Sequence, residues 1–334
     1  MPGRCVSYEK GSVLSMQDAN ALFPCAITGW HSWQAVAHDP EPFTALIRYI
    51  FEKEGLPYAP PVPCGKSTNA VFRAGGYVIK LFVPEEIGFN PARELALERF
   101  AFQTMRERRI PCPECAACGC VQARYNFYYL IMEAIEGETL RTLAPRWTSG
   151  EKRRFARRLR EILDRFHQPV EHFEQLDFIT QALENRNWDA FPEPFRRELR
   201  AHLTARRGAP EKLVYVHGDT KGGNILLDAS GEIYLIDFAD TLLAPVEYEW
   251  SLVMVGLFRF DADYMLGFFG DMGVEELIDI CMRGLPIHGF GADNIRALLG
   301  DVSCITGFDA LRAALTRCLC EKRALAASSA GSAQ

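Results

Sequence analysis

The sequence predicts a two-lobed α+β protein, with a small antiparallel sheet in its first half and a mostly helical second half. A chain of 334 residues is long enough for two separate hydrophobic cores. Residues 65–82 have the pattern of two strands around a tight turn at Gly75-Gly76. From Glu151 onward, apolar side chains recur at helical spacing. Strands followed by helices favour an α+β arrangement.

Composition and charge exclude several classes of protein. The chain is 48% hydrophobic and 24% charged, as is typical of globular proteins, and no apolar run reaches the length of a membrane span. The first residues, Met-Pro-Gly-Arg-Cys, contain no apolar signal segment, so we expect a cytoplasmic protein without a membrane partner. A net charge of −6 argues against a nucleic-acid partner. The eleven cysteines are odd in number and scattered, which favours reduced thiols.

One stretch, 214–227, combines two apolar strands with a polar loop. The loop contains His217-Gly218-Asp219 and, five residues after the acid, Asn224. A second short strand, after a turn at Gly231, ends on Asp237. Phosphoryl transfer needs a carboxylate that orients the attacking hydroxyl, and an amide and a carboxylate that hold magnesium on the phosphates. The three polar residues therefore predict a kinase-type site.

The pattern His-x-Asp-x-x-x-x-Asn followed by Asp-Phe resembles the protein-kinase-like superfamily. The form His217-Gly218-Asp219 is similar to the aminoglycoside phosphotransferase and choline kinase branch, over roughly 60–255. The resemblance implies the bilobal protein-kinase-like fold and a reaction that uses ATP, or GTP, with Mg²⁺. It implies that Asp219 orients the acceptor hydroxyl, that Asn224 and Asp237 are the metal ligands, and that His217 supports the backbone.

Three features near this site differ from the branch. Lys221 follows the proposed base by two residues, as in protein kinases, where such a lysine meets the γ-phosphate; Asp-Thr-Lys-x-x-Asn also resembles N-acetylhexosamine kinases. Ala239 replaces the glycine of Asp-Phe-Gly. The segment with Glu247 and Glu249 stands where the branch has Pro-x-x-Asp-Leu, and departs from that pattern.

The first 44 residues form an N-terminal extension to which we assign no function. Its aromatic residues Phe23, Trp30 and Trp33 predict a packed segment rather than a disordered one. A helix is predicted over 42–54 from the spacing of its apolar residues.

The turn at Gly65-Lys66-Ser67 invites interpretation as a P-loop. That motif needs a glycine five residues earlier, where this chain has Pro60, so we reject it. Within the family resemblance, Ser67 and Thr68 belong instead to the loop that covers the nucleotide phosphates.

Lys80 lies inside an apolar strand, where an unpaired ammonium would be costly. It is either an edge-strand lysine that reaches solvent or the lysine that binds the ATP α- and β-phosphates. In the second case it pairs with a glutamate of the next helix. Glu94 and Glu98 lie on one face of that helix, and counting back from Pro111 favours Glu98.

Four cysteines occur between Cys112 and Cys120. A metal or iron–sulfur site is one interpretation, but the spacing fits neither a zinc knuckle nor a ferredoxin motif, so we favour structural thiols at a turn into a strand. The next strand ends at Glu133. By resemblance, backbone groups around Glu133 and Ile135 meet the adenine in the segment that connects the lobes.

The second half is predicted to be mostly helical, beginning with a helix over 151–166 capped by Ser149. We take the arginines on this helix as a solvated face. Helices are also expected over 174–208 and from Trp250 to Lys322. The predicted limits are 1–44 for the extension, 45–137 for the small lobe, 138–323 for the large lobe and 324–334 for a disordered tail.

The charge pattern of the second half suggests a class of acceptor. Between Glu247 and Asp301 there are ten acids and three arginines, a net charge of −7. Acids that line a binding site attract cations. We therefore expect a small, cationic, amine-bearing acceptor such as an aminoglycoside-like antibiotic. A sugar such as a hexosamine, a choline-like amino alcohol and a non-catalytic nucleotide-binding scaffold remain alternatives, as do monomer and homodimer.

Overall fold

The computed structural model describes residues 21–171, 173 and 176–331. The chain divides into two compact units. The first comprises the described residues of Met1–Arg106 together with Cys112–Glu136, and the second comprises Glu107–Pro111 together with the described residues of Gly137–Gln334. Within the described residues, no helix combines the length and the apolar character that crossing a membrane requires.

The first unit is built on a five-stranded antiparallel sheet with the order β1-β2-β3-β5-β4. Its strands are β1 Val62–Pro63, β2 Ala70–Ala74, β3 Tyr77–Leu81, β4 Cys115–Gln122 and β5 Asn126–Glu133. Strands β2 and β3 form a hairpin in which Ala74 pairs with Tyr77. Gly75 has φ +65°, a conformation that glycine adopts without strain. The sheet predicted from the sequence is confirmed.

Three helices accompany the sheet: α1 Trp30–Val36, α2 Thr44–Lys53 and α3 Pro91–Glu107. Short 3₁₀ turns occur at Glu41–Phe43 and Glu85–Ile87. Helix α2 buries the stripe Leu46, Ile47, Ile50 and Phe51, as its apolar spacing predicts.

The described part of the N-terminal segment belongs to the core of the first unit. Phe23, Trp33 and Phe43 are fully buried in one hydrophobic cluster with Phe72 and Tyr129 of the sheet. Phe23 packs against Phe43, with ring centroids 5.0 Å apart. Although 1–44 is predicted to be a separate extension, its aromatic side chains from residue 21 onward complete the core. Residues 1–20 lie outside the described residues.

The second unit is mostly helical. Its helices are α4 Leu140–Leu143, α5 Ser149–Phe166, α6 Phe178–Glu184, α7 Glu193–Arg206, α8 Val246–Leu252, α9 Ala262–Phe269, α10 Val274–Gly284, α11 Gly291–Leu299 and α12 Phe308–Gly331. Shorter helical turns are Ala144–Arg146, Arg186–Ala190, the π-helical Val253–Leu257 and Leu285–Ile287.

The N-cap of α5 differs from the prediction. Thr148, rather than Ser149, precedes the helix, and its hydroxyl accepts a hydrogen bond from the Glu151 N–H. The Glu151 carboxylate accepts in return from the Thr148 N–H at 2.7 Å. This reciprocal pair is a capping box, which requires the spacing Thr-x-x-Glu and therefore selects Thr148.

The end of the chain also differs from the prediction. Helix α12 continues to Gly331, so the disorder predicted from Ala324 onward is not observed over 324–331. The segment after Lys322 is rich in alanine, which has the highest helix propensity, so the preceding helix extends through it. Residues 332–334 lie outside the described residues.

Two small antiparallel sheets position the predicted catalytic residues. One has the order β6-β8-β9 and the other pairs β10 with β7. The strands are β6 Gly137–Thr139, β7 Val214–Val216, β8 Ile225–Asp228, β9 Ile233–Leu235 and β10 Leu242–Ala244. The loop 217–224 therefore joins β7 to β8, and Asp237 follows β9.

Candidate active site

The loop 217–224 has a backbone that only glycine fits at its second position. Gly218 has φ +81°, in the left-handed region that favours glycine. A Cβ atom at Gly218 would overlap the backbone carbonyl of Asp240. This close approach explains why glycine stands between His217 and Asp219.

Asp219 is buried and held by two side chains of its own loop. Asn224 Nδ2 donates to Asp219 Oδ2 at 2.9 Å and to the Asp219 carbonyl at 3.0 Å. Lys221 Nζ forms an ion pair with the same Oδ2. Burial raises the pKa of Asp219, and nearby Asp237 adds to this, whereas Lys221 and His217 oppose it. The loop thus fixes a carboxylate whose affinity for a proton is increased.

The two predicted metal ligands offer oxygen atoms. Because Asn224 Nδ2 is engaged by Asp219, the Asn224 Oδ1 is the side-chain atom left for a cation. Asp237 has φ +69°, a strained conformation that aspartate tolerates better than most residues and that is common at functional sites. Carboxylate and amide oxygens suit Mg²⁺, which keeps few protein ligands when phosphates supply the others. The residues present therefore fit magnesium.

His217 connects the loop to the segment that carries Asp237. Its Nδ1 accepts from the Asp219 N–H at 3.3 Å, so we assign the ring proton to Nε2, which lies 3.1 Å from the Ile236 carbonyl. The ring also packs on Phe238, with centroids 4.8 Å apart. This geometry agrees with a supporting role for His217.

Glu249 anchors the loop, a role that is not apparent from the sequence. This residue of α8 is fully buried, and its Oε2 accepts from the backbone N–H groups of His217 at 2.5 Å and Gly218 at 3.2 Å. Its Oε1 accepts from the Thr220 hydroxyl. Burial alone would raise the pKa of Glu249, but the imidazole of His167, 3.7 Å away, leads the interactions that lower this pKa to about 2. A charged glutamate thus holds the two residues before the proposed base and the one after it.

In the first unit, Lys80 pairs with the glutamate favoured by the sequence. Lys80 Nζ lies 2.6 Å from Glu98 Oε1, and both side chains are buried. Glu94 instead accepts a hydrogen bond from Asn69 Nδ2 at 3.3 Å. The structure therefore brings together Lys80 and Glu98 and excludes the interpretation of Lys80 as a solvent-reaching lysine.

The predicted phosphate loop lies between β1 and β2, at 64–69. Lys66 and Thr68 are exposed, and Ser67 is half-buried with its hydroxyl hydrogen-bonded to the Asn69 carbonyl. At the end of the first unit, the Glu133 N–H donates to the Glu114 carbonyl at 2.9 Å. The Glu133 N–H is therefore already engaged. An adenine would have to hydrogen-bond to other backbone groups, such as those of half-buried Ile135.

Most of the acids counted between Glu247 and Asp301 are already paired. Seven of the ten lie within 4.0 Å of a basic side chain: Glu247 with Arg283, Glu249 with His167, Asp261 with Lys152, Asp263 with Arg153, Glu275 and Asp279 with Arg312, and Asp293 with Arg296. Several partners come from α5 and α12, outside the counted segment. The net charge of the segment therefore overstates the field that an acceptor would meet.

The cysteines at 112–120 lie on or next to β4, an edge strand of the sheet. Interaction with the Cys115 thiol lowers the pKa of Cys118 to about 7. Over 21–171, 173 and 176–331, no three or more His, Cys, Asp or Glu side chains form a group suited to a metal. That these thiols have a purely structural role stays a prediction.

Comparison with solved structures shows which proteins share this fold. The GDP complex of wild-type aminoglycoside 2'-phosphotransferase-IIIa matches with a TM-score of 0.56 and 14% identity, covering 84% of this chain and 99% of that chain. The GDP and kanamycin complex of APH(2")-IIia matches with a TM-score of 0.55 and 15% identity, covering 83% and 96%. Aminoglycoside phosphotransferase APH(4)-Ia matches with a TM-score of 0.52 and 17% identity, covering 83% and 97%. These likenesses confirm the predicted kinase-like fold.

Sequence comparison identifies the family. A search of curated proteins found no match. The family model described as APH, phosphotransferase enzyme family, matches residues 61–273, a range that contains Lys80, the loop 217–224 and Asp237. This range covers well over half of the chain, and it confirms the resemblance inferred from the motifs. The chain belongs to the phosphotransferase enzyme family.

Proposed function

We propose that the protein transfers the γ-phosphoryl group of ATP or GTP, with Mg²⁺, to a hydroxyl of an aminoglycoside-like cationic acceptor. The observation that carries the proposal is the Asp219 carboxylate, buried and held by Asn224 in a loop anchored by Glu249. Solved structures of similar fold support the nucleotide, since two of them contain GDP, and one also contains kanamycin.

Each residue of the proposed site has a separate role in phosphoryl transfer. Asp219 orients the acceptor hydroxyl and accepts its proton, for which a raised pKa is favourable. Lys221, whose side chain is half-exposed, exchanges its ion pair with Asp219 for contact with the γ-phosphate. Lys80, held by Glu98, binds the α- and β-phosphates. Asn224 and Asp237 hold Mg²⁺, which neutralises charge on the phosphates when bound.

Magnesium titration tests the two ligands. We expect Asp237→Asn and Asn224→Ala to raise the magnesium concentration needed for half-maximal activity and to lower turnover, because each removes an oxygen ligand or its charge. Asp228→Asn is the matched control, since Asp228 lies at the end of β8, where it binds the Ser230 and Glu232 backbone. An unchanged magnesium requirement in both ligand variants would show that the metal lies elsewhere.

Asp240 is the acid that best supports a cationic acceptor. Part of the Asp240 surface is exposed to solvent, but neighbouring protein atoms desolvate its carboxyl group. This desolvation, together with the charges of Asp219 and Asp237, raises the pKa of Asp240 to about 6. At pH 7.5 Asp240 is still mostly ionised. A negative charge near the proposed base would favour an acceptor whose amine lies close to the reacting hydroxyl.

Asp240→Asn is expected to raise KM for an aminoglycoside roughly tenfold, the effect of losing one charge-assisted hydrogen bond. Wild-type KM for the same compound should rise with salt, because screening weakens the attraction. Asp271→Asn, at another exposed acid of the second unit, provides the matched control. If Asp240→Asn and Asp271→Asn bind the cationic acceptor equally well, Asp240 does not contact it.

A neutral sugar such as an N-acetylhexosamine is the second candidate acceptor. Two observations favour it: the sequence Asp219-Thr-Lys-x-x-Asn224, and the pairing of seven of the ten acids between Glu247 and Asp301.

Nucleotide consumption across a panel of hydroxyl compounds separates these functions. The panel contains aminoglycosides, hexosamines, their N-acetyl derivatives and choline, each with ATP and GTP, with and without magnesium. We expect consumption with an aminoglycoside only when magnesium is present. Turnover of neutral sugars alone, indifferent to salt, would replace the cationic acceptor by a sugar. If the protein binds the nucleotide but consumes it with no compound of the panel, a non-catalytic scaffold would be favoured.

A further inference from the structure

The described N-terminal residues, 21–44, reach the loop 64–69, although they lie outside the range matched by the family model. Trp33 of α1 is fully buried, and its ring N–H donates to the Thr68 carbonyl at 2.8 Å. The Trp33 ring meets Phe43 edge-on, with centroids 5.9 Å apart. The hydrophobic cluster therefore fixes a hydrogen-bond donor underneath an exposed loop.

The loop 64–69 has few other attachments. At its start, the Cys64 N–H donates to the Val71 carbonyl at 3.0 Å. At its end, Asn69 Oδ1 accepts from the Val83 N–H at 3.0 Å. Between these points Lys66 and Thr68 are exposed, and Gly65 has φ +113°. Asn69 Nδ2 also donates to Glu94 of α3 at 3.3 Å. For the residues between Cys64 and Asn69, the described part of the chain offers one hydrogen bond to another element, that from Trp33 to the Thr68 carbonyl.

The Trp33 hydrogen bond orients a whole peptide unit. A trans peptide is planar, with its C=O and N–H pointing in opposite directions. Anchoring the Thr68 carbonyl on Trp33 therefore turns the Asn69 N–H away from Trp33. Phosphate-binding loops depend on backbone N–H groups with fixed orientations.

We propose that residues 21–44 are a nucleotide-positioning brace, in which Trp33 holds the loop 64–69 in its phosphate-binding conformation. The inference rests on the proposed function, and on the family resemblance by which Ser67 and Thr68 belong to the loop that covers the nucleotide phosphates. Trp33 is a positioning residue, since it acts through Thr68 and touches no substrate.

Trp33→Phe tests the brace, because it keeps an aromatic ring and removes the N–H donor. We expect affinity for ADP or GDP with magnesium to fall about three- to tenfold, the usual effect of one hydrogen bond, with acceptor KM unchanged. Tryptic cleavage after exposed Lys66 should accelerate in the same variant. Trp30→Phe is the matched control, because Trp30 lies in the same helix but is 42% exposed and stacks on Phe89.

Ser32→Ala is the second variant, and it leaves no large cavity. Ser32 Oγ accepts from the Thr28 N–H at 2.8 Å and donates to the Gly29 carbonyl at 2.8 Å, holding the turn from which α1 begins. We expect a smaller change in the same direction, about twofold in nucleotide affinity. If Trp33→Phe does not fold, Ser32→Ala decides: wild-type nucleotide affinity and wild-type cleavage at Lys66 would overturn the brace.

The outcomes separate the brace from the proposed function. Wild-type nucleotide affinity in Trp33→Phe would overturn the brace and leave the proposed function intact. If Trp33→Phe weakens nucleotide binding and acceptor binding equally, Trp33 has only a general structural role. That result would also overturn the brace. Failure of the wild-type protein to bind ADP or GDP would overturn the proposed function, and the brace with it.

Discussion

Replacing Asp219 with alanine is expected to lower turnover roughly 10²–10⁴-fold and to leave nucleotide affinity within about threefold of wild type. A positioned base contributes in the transition state, so its loss affects turnover far more than substrate binding. Asp219 is suited to this role because it is buried, held at 2.9 Å by Asn224, and has a raised pKa. Turnover and nucleotide affinity are measured separately, the latter by calorimetry without acceptor.

Two companion variants define what the result means. Asp219→Asn keeps the shape of the side chain and should lose nearly as much turnover, because an amide accepts no proton from the acceptor. Asp228→Ala removes an aspartate from β8 of the same unit, outside the loop, and should retain turnover within a few-fold. If Asp219→Asn retains turnover within a few-fold of wild type, another group is the base.

The features of the fold that the sequence predicts correctly depend on residues that are close together along the chain. The β2–β3 hairpin follows from Gly75 between two apolar strands, and the loop 217–224 follows from a polar insertion between β7 and β8. The pairing of Lys80 with Glu98 could be predicted from one buried lysine and one helical face. In each case the residues that indicate the structure lie within a few positions of one another, or in the helix that follows the strand.

Two local predictions are wrong, although the sequence contains the signal for each correct structure. The capping box at Thr148 and Glu151 can be recognised by its spacing, but the adjacent Ser149 is also a favourable cap residue. The alanine-rich segment 324–331 has the composition of a tail, yet an existing helix extends into it without the cost of a new nucleus.

Long-range partners could not be predicted from sequence. Glu249 lies 32 residues after His217, whose N–H it accepts, and nothing in 245–250 shows that the side chain points to a buried loop. The acidic excess between Glu247 and Asp301 likewise depends on where arginines from α5 and α12 lie. Thr68 is 35 residues from Trp33, and α2 and β1 lie between them along the chain. These contacts depend on how distant segments pack together, which the sequence pattern around each residue does not show.

Glu249→Gln is expected to destabilise the protein by about 3–5 kcal/mol, the typical cost of removing one partner from a buried charged network. The glutamine amide would place an NH₂ group against N–H or hydroxyl donors of His217, Gly218 and Thr220, which now all donate to the carboxylate. Because the loop would lose its anchor, turnover should also fall, by at least tenfold. Urea denaturation and initial rates measure the two effects.

Glu247→Gln is the matched control, since it makes the same change two residues earlier in α8. Glu247 pairs with Arg283 at 3.0 Å, and the Arg283 side chain is 52% exposed, so this variant should lose less than about 1 kcal/mol. A loss in Glu249→Gln no larger than in Glu247→Gln would remove Glu249 from the role of loop anchor.

The pH dependence of unfolding gives a second measure of the same group. The pKa of Glu249 is lowered to about 2 in the folded protein, against an ordinary value near 4.3, so its contribution to stability is present above about pH 4.5 and is lost as pH falls towards 2. Glutamine does not titrate. The stability advantage of the wild type over Glu249→Gln should therefore shrink between pH 5 and pH 2. An advantage over Glu249→Gln that does not depend on pH would mean that the buried carboxylate carries no charge when it binds the loop.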